Sequence, residues 1–126
     1  MFAHLLFLYL PQALLLPYCD LVVSHGGSGS VLGALEHGLP MLVAPMGADQ
    51  PQNADRCAAL GVGRVLDAMS ATPEQVRAAA SAVLGDPEYR KAAERMRDEI
   101  ADLPGPDHAV NLLEQLAVTR DPARPR

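Results

Sequence analysis

The sequence has no tryptophan and few aromatic residues of any kind, which make up 4% of its 126 residues. Basic residues are also scarce, since ten lysines and arginines stand against fifteen aspartates and glutamates and leave a net charge of −5. Nucleic-acid-binding domains depend on basic surfaces and often on stacking aromatic side chains. We therefore expect no nucleic-acid partner.

Cysteine is nearly absent as well. Cys19 and Cys57 are the two cysteines, and they are neither in C-x-x-C spacing nor near a histidine cluster. This pattern favours neither a disulfide framework nor a zinc site. We predict two buried free thiols, which behave as small apolar side chains, and no metal site.

No hydrophobic run is long and uninterrupted. The first sixteen residues are strongly apolar, but they have no basic flank and no small-residue cleavage site, and His4, Pro11 and Gln12 interrupt them. A membrane span needs about 20 consecutive apolar residues, and a secretory signal needs the basic flank. We therefore expect no membrane span and a cytoplasmic protein.

Short apolar runs alternate with helical segments over the first half of the chain. This alternation predicts an α/β fold, with a Rossmann-like parallel sheet flanked by helices. The predicted strands are residues 5–10, 21–24, 41–44 and 62–66, and the predicted helices between them are residues 12–16, 28–37 and 51–60. In such sheets, ligands bind beyond the carboxyl ends of the strands.

The rest of the chain is predicted to be helical. Thr72 and Gln75 form a capping box with proline at the first helical position, Asp86 and Pro87 begin a second helix, and a third follows Pro106. Residues 1–117 are predicted to form one domain and residues 118–126 a disordered tail. Because the chain begins almost inside a predicted strand, we expect the domain to be incomplete at its N-terminus.

A glycine-rich turn, HGGSGS at residues 25–30, joins a predicted strand to a predicted helix. Glycine lets the backbone approach a ligand closely, and the free N–H groups of a helix N-terminus favour an anion, so we predict a phosphate site. A dinucleotide fingerprint is the alternative, with glycines at Gly27, Gly29 and Gly33. That fingerprint requires an acid at the end of the next strand, where Val43 is followed by alanine and proline.

Four blocks in this order carry a resemblance: YLPQ at residues 9–12, HGGSGS at 25–30, GLP at 38–40 and DQPQN at 49–53. Together they resemble the donor-binding signature of nucleotide-sugar-dependent glycosyltransferases, and in particular of bacterial enzymes that glycosylate macrolides and other natural products. These enzymes have two Rossmann-like domains in the GT-B architecture. The resemblance implies that the chain is the C-terminal, donor-binding half.

The resemblance also implies a role for individual residues. Tyr9 would stack on the base, although packing of a strand residue is the alternative, and Asp49 is also placed to cap the following helix. Asn53 would help to orient the loop that carries Asp49. The implied donor contacts are Tyr9 and Gln12 for base and ribose, His25, Gly27, Ser28, Gly29 and Ser30 for the diphosphate, and Asp49 and Gln50 for the sugar.

One position departs from the family pattern. Many relatives have a glutamate eight residues after the histidine, which holds the ribose hydroxyls, whereas this chain has Gly33 there and its glutamate at Glu36. We therefore hypothesise that a deoxythymidine-diphosphate sugar is at least as good a donor as a uridine one.

The resemblance implies inverting transfer of a hexose to an acceptor hydroxyl, with the general base in a separate acceptor domain, in cis or in trans. No residue here is a candidate base, because His4, His37 and His108 suit core or capping positions. The nucleotide sugar is a substrate, so no cofactor is expected. A non-catalytic nucleotide-sugar-binding module and a truncated gene product remain alternatives, with a nicotinamide-binding domain more distant.

Overall fold

The computed structural model describes residues 10–119, and within them the predicted α/β fold with a parallel sheet is confirmed. Three strands alternate with helices, and three further helices follow. In chain order the elements are α1 (Gln12–Leu15), a 3-10 turn (Leu16–Tyr18), β1 (Val22–Ser24), α2 (Ser28–Glu36), β2 (Met41–Val43), α3 (Gln50–Ala59), β3 (Gly63–Val65), α4 (Pro73–Gly85), α5 (Pro87–Ala101) and α6 (Pro106–Thr119).

The described sheet has the order β1-β2-β3, and both pairs of strands are parallel. Met41 of the central strand is paired with Val22 on one side and with Gly63 on the other. All three residues of β2 are fully buried, as expected for a parallel strand that is covered on both faces. The predicted strand at residues 5–10 lies outside the described residues, except for Leu10, which has no regular structure.

Helices cover both faces of this sheet. Alternate side chains of a strand point to opposite faces, so Met41 and Val43 face a core built with α2, α3 and α5, whereas Leu42 faces α4. The larger core consists of Leu16, Ala34, Leu35, Leu39, Met41, Val43, Ala54, Cys57, Val62, Ala92 and Ala93. The free thiol of Cys57 is buried as predicted, and that of Cys19 is half-buried.

The predicted capping box at the start of α4 is confirmed. Thr72 Oγ1 accepts from the backbone N–H of Gln75 at 3.2 Å, and Gln75 Oε1 accepts from the N–H of Thr72 at 2.8 Å, which completes the capping box. Gly38 and Gly61 follow α2 and α3 with positive φ values of 63° and 69°, a backbone conformation that glycine adopts without steric cost.

Helix α6 differs from the other long helices because every one of its residues is exposed. Its apolar side chains, among them Leu112, Leu113 and Leu116, are exposed in the described chain. It also continues to Thr119, so the prediction that the tail begins at Val118 was wrong by two residues; the remainder of that tail lies outside the described residues. Among residues 10–119, no helix is both long and apolar enough to cross a bilayer.

Candidate functional site

Two loops meet at the carboxyl end of the sheet. The β1–α2 turn comprises residues 25–27, and the β2–α3 loop comprises residues 44–49. Because β1 and β2 are parallel neighbours, both loops leave the sheet at the same edge. The predicted diphosphate-binding and sugar-binding residues are thereby brought together, although they lie about twenty positions apart in sequence.

Gly26 sets the course of the β1–α2 turn. It is buried, its φ is +84°, and its N–H donates to Ser24 Oγ at 3.2 Å. A Cβ added to Gly26 would lie 2.5 Å from Cγ1 of Val43, the last residue of β2. Glycine is therefore required here, because the turn passes directly over the end of the neighbouring strand.

The N-terminus of α2 presents unpaired backbone donors. Its N-cap residue, Gly27, has no side chain with which to cap the helix. Within the described chain, the N–H groups of Ser28, Gly29 and Ser30 have no hydrogen-bond partner, and that of Val31 is the first to be bonded, to the carbonyl of Gly27 at 3.0 Å. Ser28 and Gly29 are exposed, and a Cβ on Gly29 would meet nothing within 4 Å, so the described chain does not cover this helix end. This arrangement suits an anion.

His25 lies beside these donors. Its side chain is exposed, and its ring is folded against the turn, since a Cβ added to Gly27 would be 2.6 Å from His25 Nε2. An imidazole in this position can donate a hydrogen bond to an anion held at the N-terminus of α2.

Asn53 connects the two loops. Its Nδ2 donates to the carbonyl of Gly26 at 2.9 Å and to Asp49 Oδ2 at 3.2 Å, and lies 3.5 Å from Ser28 Oγ. Sequence reasoning gave Asn53 only a minor role. Its position four residues after Asp49 in a predicted helix was the signal that the two side chains could meet.

Asp49 occupies the N-cap position of α3, but its side chain does not cap the helix. The suggested capping role was therefore wrong, because Oδ2 instead accepts from Ser28 Oγ at 2.9 Å and from Asn53. These two hydrogen bonds, in that order, lower the pKa of Asp49, with a smaller contribution from the charge of His25. An aspartate is ionised at neutral pH even at its ordinary pKa, and these hydrogen bonds stabilise the charged form further.

Gln50 shapes the β2–α3 loop from within. Its Oε1 accepts from the N–H groups of Met46 and Gly47, at 2.9 and 3.2 Å. Within this loop, Ala48 has a φ of 56°, which is uncommon for a residue other than glycine. Because Oε1 is occupied, Nε2 is the part of the Gln50 amide that is left for a ligand.

Of the other residues named in the sequence analysis, those that the structure describes make no hydrogen bond to this group. Tyr9 lies outside the described residues, and Gln12 is exposed on α1, where its side chain makes no hydrogen bond to another described residue. A Cβ on Gly33 would meet only Leu16 Cδ1, at 3.6 Å. Glu36 is eight residues beyond Ser28, about 12 Å along the helix axis, so it is remote from the N-terminus of α2. No cluster of metal ligands was found among residues 10–119.

Sequence comparison gives a family and named relatives. The family described as "Erythromycin biosynthesis protein CIII-like, C-terminal domain" matches residues 5–116. The chain is 39% identical over 112 residues to 3-alpha-mycarosylerythronolide B desosaminyl transferase of Saccharopolyspora erythraea, covering 89% of this chain and 27% of that protein. It is also 39% identical over 97 residues to L-demethylnoviosyl transferase of Streptomyces niveus, covering 77% and 26%. The chain thus spans about a quarter of these relatives' length.

The solved structures that are similar to this chain are also glycosyltransferases. The forosaminyltransferase SpnP of spinosyn biosynthesis superposes with a TM-score of 0.83 at 32% identity, over 87% of this chain and 30% of that one. The glycosyltransferase VinC, solved in complex with dTDP, superposes with a TM-score of 0.82 at 31% identity, over 86% and 28%. The fold of the described residues is therefore that of one part of these larger glycosyltransferases.

Proposed function

The chain belongs to the family of C-terminal domains similar to erythromycin biosynthesis protein CIII, and on that premise we propose that it binds the nucleotide-sugar donor of a natural-product glycosyltransferase. One observation carries the proposal: free backbone donors at the N-terminus of α2 lie next to an ionised carboxylate, Asp49, at the same edge of the sheet. A nucleotide sugar presents an anion followed directly by a polyol. The two halves of the site have the matching chemistry.

The diphosphate is assigned to the N-terminus of α2. Hydrogen bonds come from the N–H groups of Ser28, Gly29 and Ser30 and from the imidazole of His25. Because Gly27 has no side chain, a phosphate can approach the backbone closely there. The helix dipole adds to the stabilisation of negative charge. Because charge on the diphosphate grows as the glycosidic bond breaks, these fixed donors also stabilise the leaving group.

The sugar is assigned to Asp49 and Gln50. The carboxylate of Asp49 accepts hydrogen bonds from sugar hydroxyls, and Oδ1 has no partner among the described residues. Nε2 of Gln50 donates to a hydroxyl oxygen. An acceptor and a donor side by side suit a polyol, since each hydroxyl group can both donate and accept.

The base and ribose are assigned to Tyr9 and Gln12 on the resemblance alone. We propose that the donor is a thymidine-diphosphate sugar at least as readily as a uridine one, because Gly33 offers no carboxylate for a ribose 2′-hydroxyl and Glu36 is remote. The dTDP complex of the structural neighbour VinC supports this choice.

Transfer itself requires a general base that reaches the acceptor hydroxyl. We assign no residue of this chain to that role and propose that an acceptor domain, in cis or in trans, supplies it. Reaction would be a single displacement with inversion at the anomeric carbon, and the proposed location is the cytoplasm.

Calorimetric titration of the purified chain with thymidine and uridine diphosphates tests donor binding. His25→Ala is expected to weaken binding about tenfold, the loss of one hydrogen bond to a charged group. The matched control is His108→Ala, an exposed histidine in the first turn of α6.

Equal losses in the two histidine variants would contradict the assignment of the diphosphate to α2. Binding of NADH without binding of either pyrimidine diphosphate would favour the nicotinamide alternative. Turnover of a hydroxylated acceptor by the chain alone would overturn the assignment of the base to another domain.

A further inference from the structure

We propose that Asp49 and the donor diphosphate compete for the hydroxyl of Ser28, so that Asp49 discriminates between the intact nucleotide sugar and the released nucleoside diphosphate. This inference rests on the proposed function, because it assumes that a diphosphate binds at the N-terminus of α2.

The competition follows from the single proton of a hydroxyl group. Ser28 Oγ donates its hydrogen to Asp49 Oδ2 at 2.9 Å. A serine hydroxyl has one O–H and cannot donate to a carboxylate and a phosphate at the same time. A phosphate oxygen that accepts from this hydroxyl must therefore take it from Asp49.

The position of Ser28 brings the two acceptors close together. Ser28 is the first residue of α2, and its own N–H is one of the three free donors at this exposed helix end. A phosphate held by those N–H groups lies within reach of the Ser28 hydroxyl. The carboxylate of Asp49 is thus anchored at the border of the anion site, where it is itself an anion at a helix N-terminus.

Like charge makes this arrangement unfavourable for a free nucleoside diphosphate. The hydrogen bonds from Ser28 and Asn53 keep Asp49 ionised, and its lowered pKa reflects them. When the diphosphate takes the Ser28 hydroxyl, Asp49 keeps one partner, Asn53, and faces the phosphates across a short distance. The free nucleoside diphosphate brings no group that can replace the lost donor.

The intact donor does bring such a group. Its sugar hydroxyls can donate to Asp49 Oδ2 as Ser28 turns to the phosphate, while Asn53 holds the carboxylate in place through its bond to the carbonyl of Gly26. The number of donors to Asp49 is then preserved. Asp49 therefore favours the nucleotide sugar over the nucleoside diphosphate, and it promotes release of the diphosphate once the sugar has been transferred.

The test compares two ligands in one isosteric variant. Dissociation constants of thymidine diphosphate and of a thymidine-diphosphate hexose are measured by calorimetry for the full chain and for Asp49→Asn. We expect the variant to bind thymidine diphosphate more than about fivefold tighter. Removal of one unit charge at about 4 Å in water accounts for about fivefold, and the neutral amide adds to this because it competes less for the Ser28 hydroxyl. The variant is expected to bind the hexose donor no tighter than the unchanged chain. The control is Asp55→Asn, which makes the same charge change at an exposed position on α3 and should leave both constants within about twofold.

A second comparison isolates the hydroxyl. In a Ser28→Ala background no proton is contested, so the gain from Asp49→Asn is expected to shrink to the part that comes from the charge alone, about fivefold. The competition is overturned if Asp49→Asn leaves thymidine diphosphate binding unchanged or weaker, or if the gain is undiminished in the Ser28→Ala background. Failure of the unchanged chain and all variants to bind either ligand, with unfolding transitions intact, would instead refute the proposed function.

Discussion

The β1–α2 turn and the β2–α3 loop lie side by side at the end of the sheet, but they differ in whether their backbone N–H groups are hydrogen-bonded. The turn contains no side chain that could cap α2, so the first N–H groups of that helix stay free. The loop folds back on Gln50, whose Oε1 occupies the N–H groups of Met46 and Gly47. The turn leaves its backbone donors without a partner, whereas the loop uses them to fix the side chain of Gln50.

Asn53 makes the two loops one site. A single amide group donates to the carbonyl of Gly26 in the turn and to the carboxylate of Asp49 in the loop. Substitutions in the two loops are therefore expected to have effects of different size. The largest should come from a change that displaces the turn, and the smallest from a change in the charge of the loop.

The largest effect is expected when the turn itself is altered. Gly26→Ala places a Cβ 2.5 Å from Val43 Cγ1 at a φ of +84°, and should cost about 2–5 kcal/mol of the free energy of unfolding through left-handed strain and overpacking. Chemical denaturation measures this. Gly29→Ala is the matched control, because a Cβ there meets nothing within 4 Å and alanine is the better helix former. Equal losses in both variants would contradict the account of the turn.

A smaller effect is expected when the connection between the loops is removed. Asn53→Ala leaves the carbonyl of the buried Gly26 without its side-chain donor and should cost about 1–3 kcal/mol. Thermal and chemical unfolding give the value. Gln52→Ala, at an exposed position on the same helix, should change stability by less than about 0.5 kcal/mol. If Asn53→Ala were as mild as this control, Asn53 would not be what holds the loops together.

The strained residue of the β2–α3 loop gives a prediction of opposite sign. Ala48→Gly relieves a left-handed conformation that costs an L-residue about 1–2 kcal/mol, and it loses roughly 0.5–1 kcal/mol to the greater chain entropy of glycine. The expected result is a stability gain of up to about 1.5 kcal/mol. The same substitution at Ala58, inside α3 and exposed, should destabilise by about 1 kcal/mol. A loss in both variants would argue against strain at Ala48.

The smallest effect concerns charge in the loop and is confined to acid. The pKa of Asp49 is lowered in the folded chain, first by the hydrogen bond from Ser28 and then by that from Asn53. The resulting stability is present above the unfolded value of 3.8 and is lost as the pH falls through the lower folded value. Unfolding temperatures measured between about pH 7 and pH 2 should therefore fall less steeply below about pH 4 for Asp49→Asn than for the unchanged chain. Parallel curves would contradict this.

The elements of the fold were predictable wherever local chemistry decides them. The capping box at Thr72, the glycine ends of α2 and α3, and the fully apolar strand β2 each depend on residues close together in sequence. The end of α6 was placed two residues too early, because Val118 and Thr119 have no apolar periodicity, although the helix continues through them. Its exposed face was not predictable, since periodicity reports that a face is apolar and not whether the described chain covers it.

Prediction of the site was uneven for a related reason. The sequence was sufficient to identify residue types that favour an anion or a polyol, and to identify the family resemblance. Their hydrogen bonds could not, because a carboxylate such as that of Asp49 has several possible partners and a sequence does not rank them.

By itself, the sequence determined the alternation of strands and helices and the glycine turn with its free donors, since each depends on short-range spacing, and its four ordered blocks carried the resemblance to a glycosyltransferase family. Only the tertiary structure decided that Asp49 accepts from Ser28, 21 positions away, and that Asn53 reaches the carbonyl of Gly26, 27 positions away. The physical reason is that parallel pairing of β1 and β2 brings their carboxyl ends together, and the partners of a polar side chain are set by that proximity.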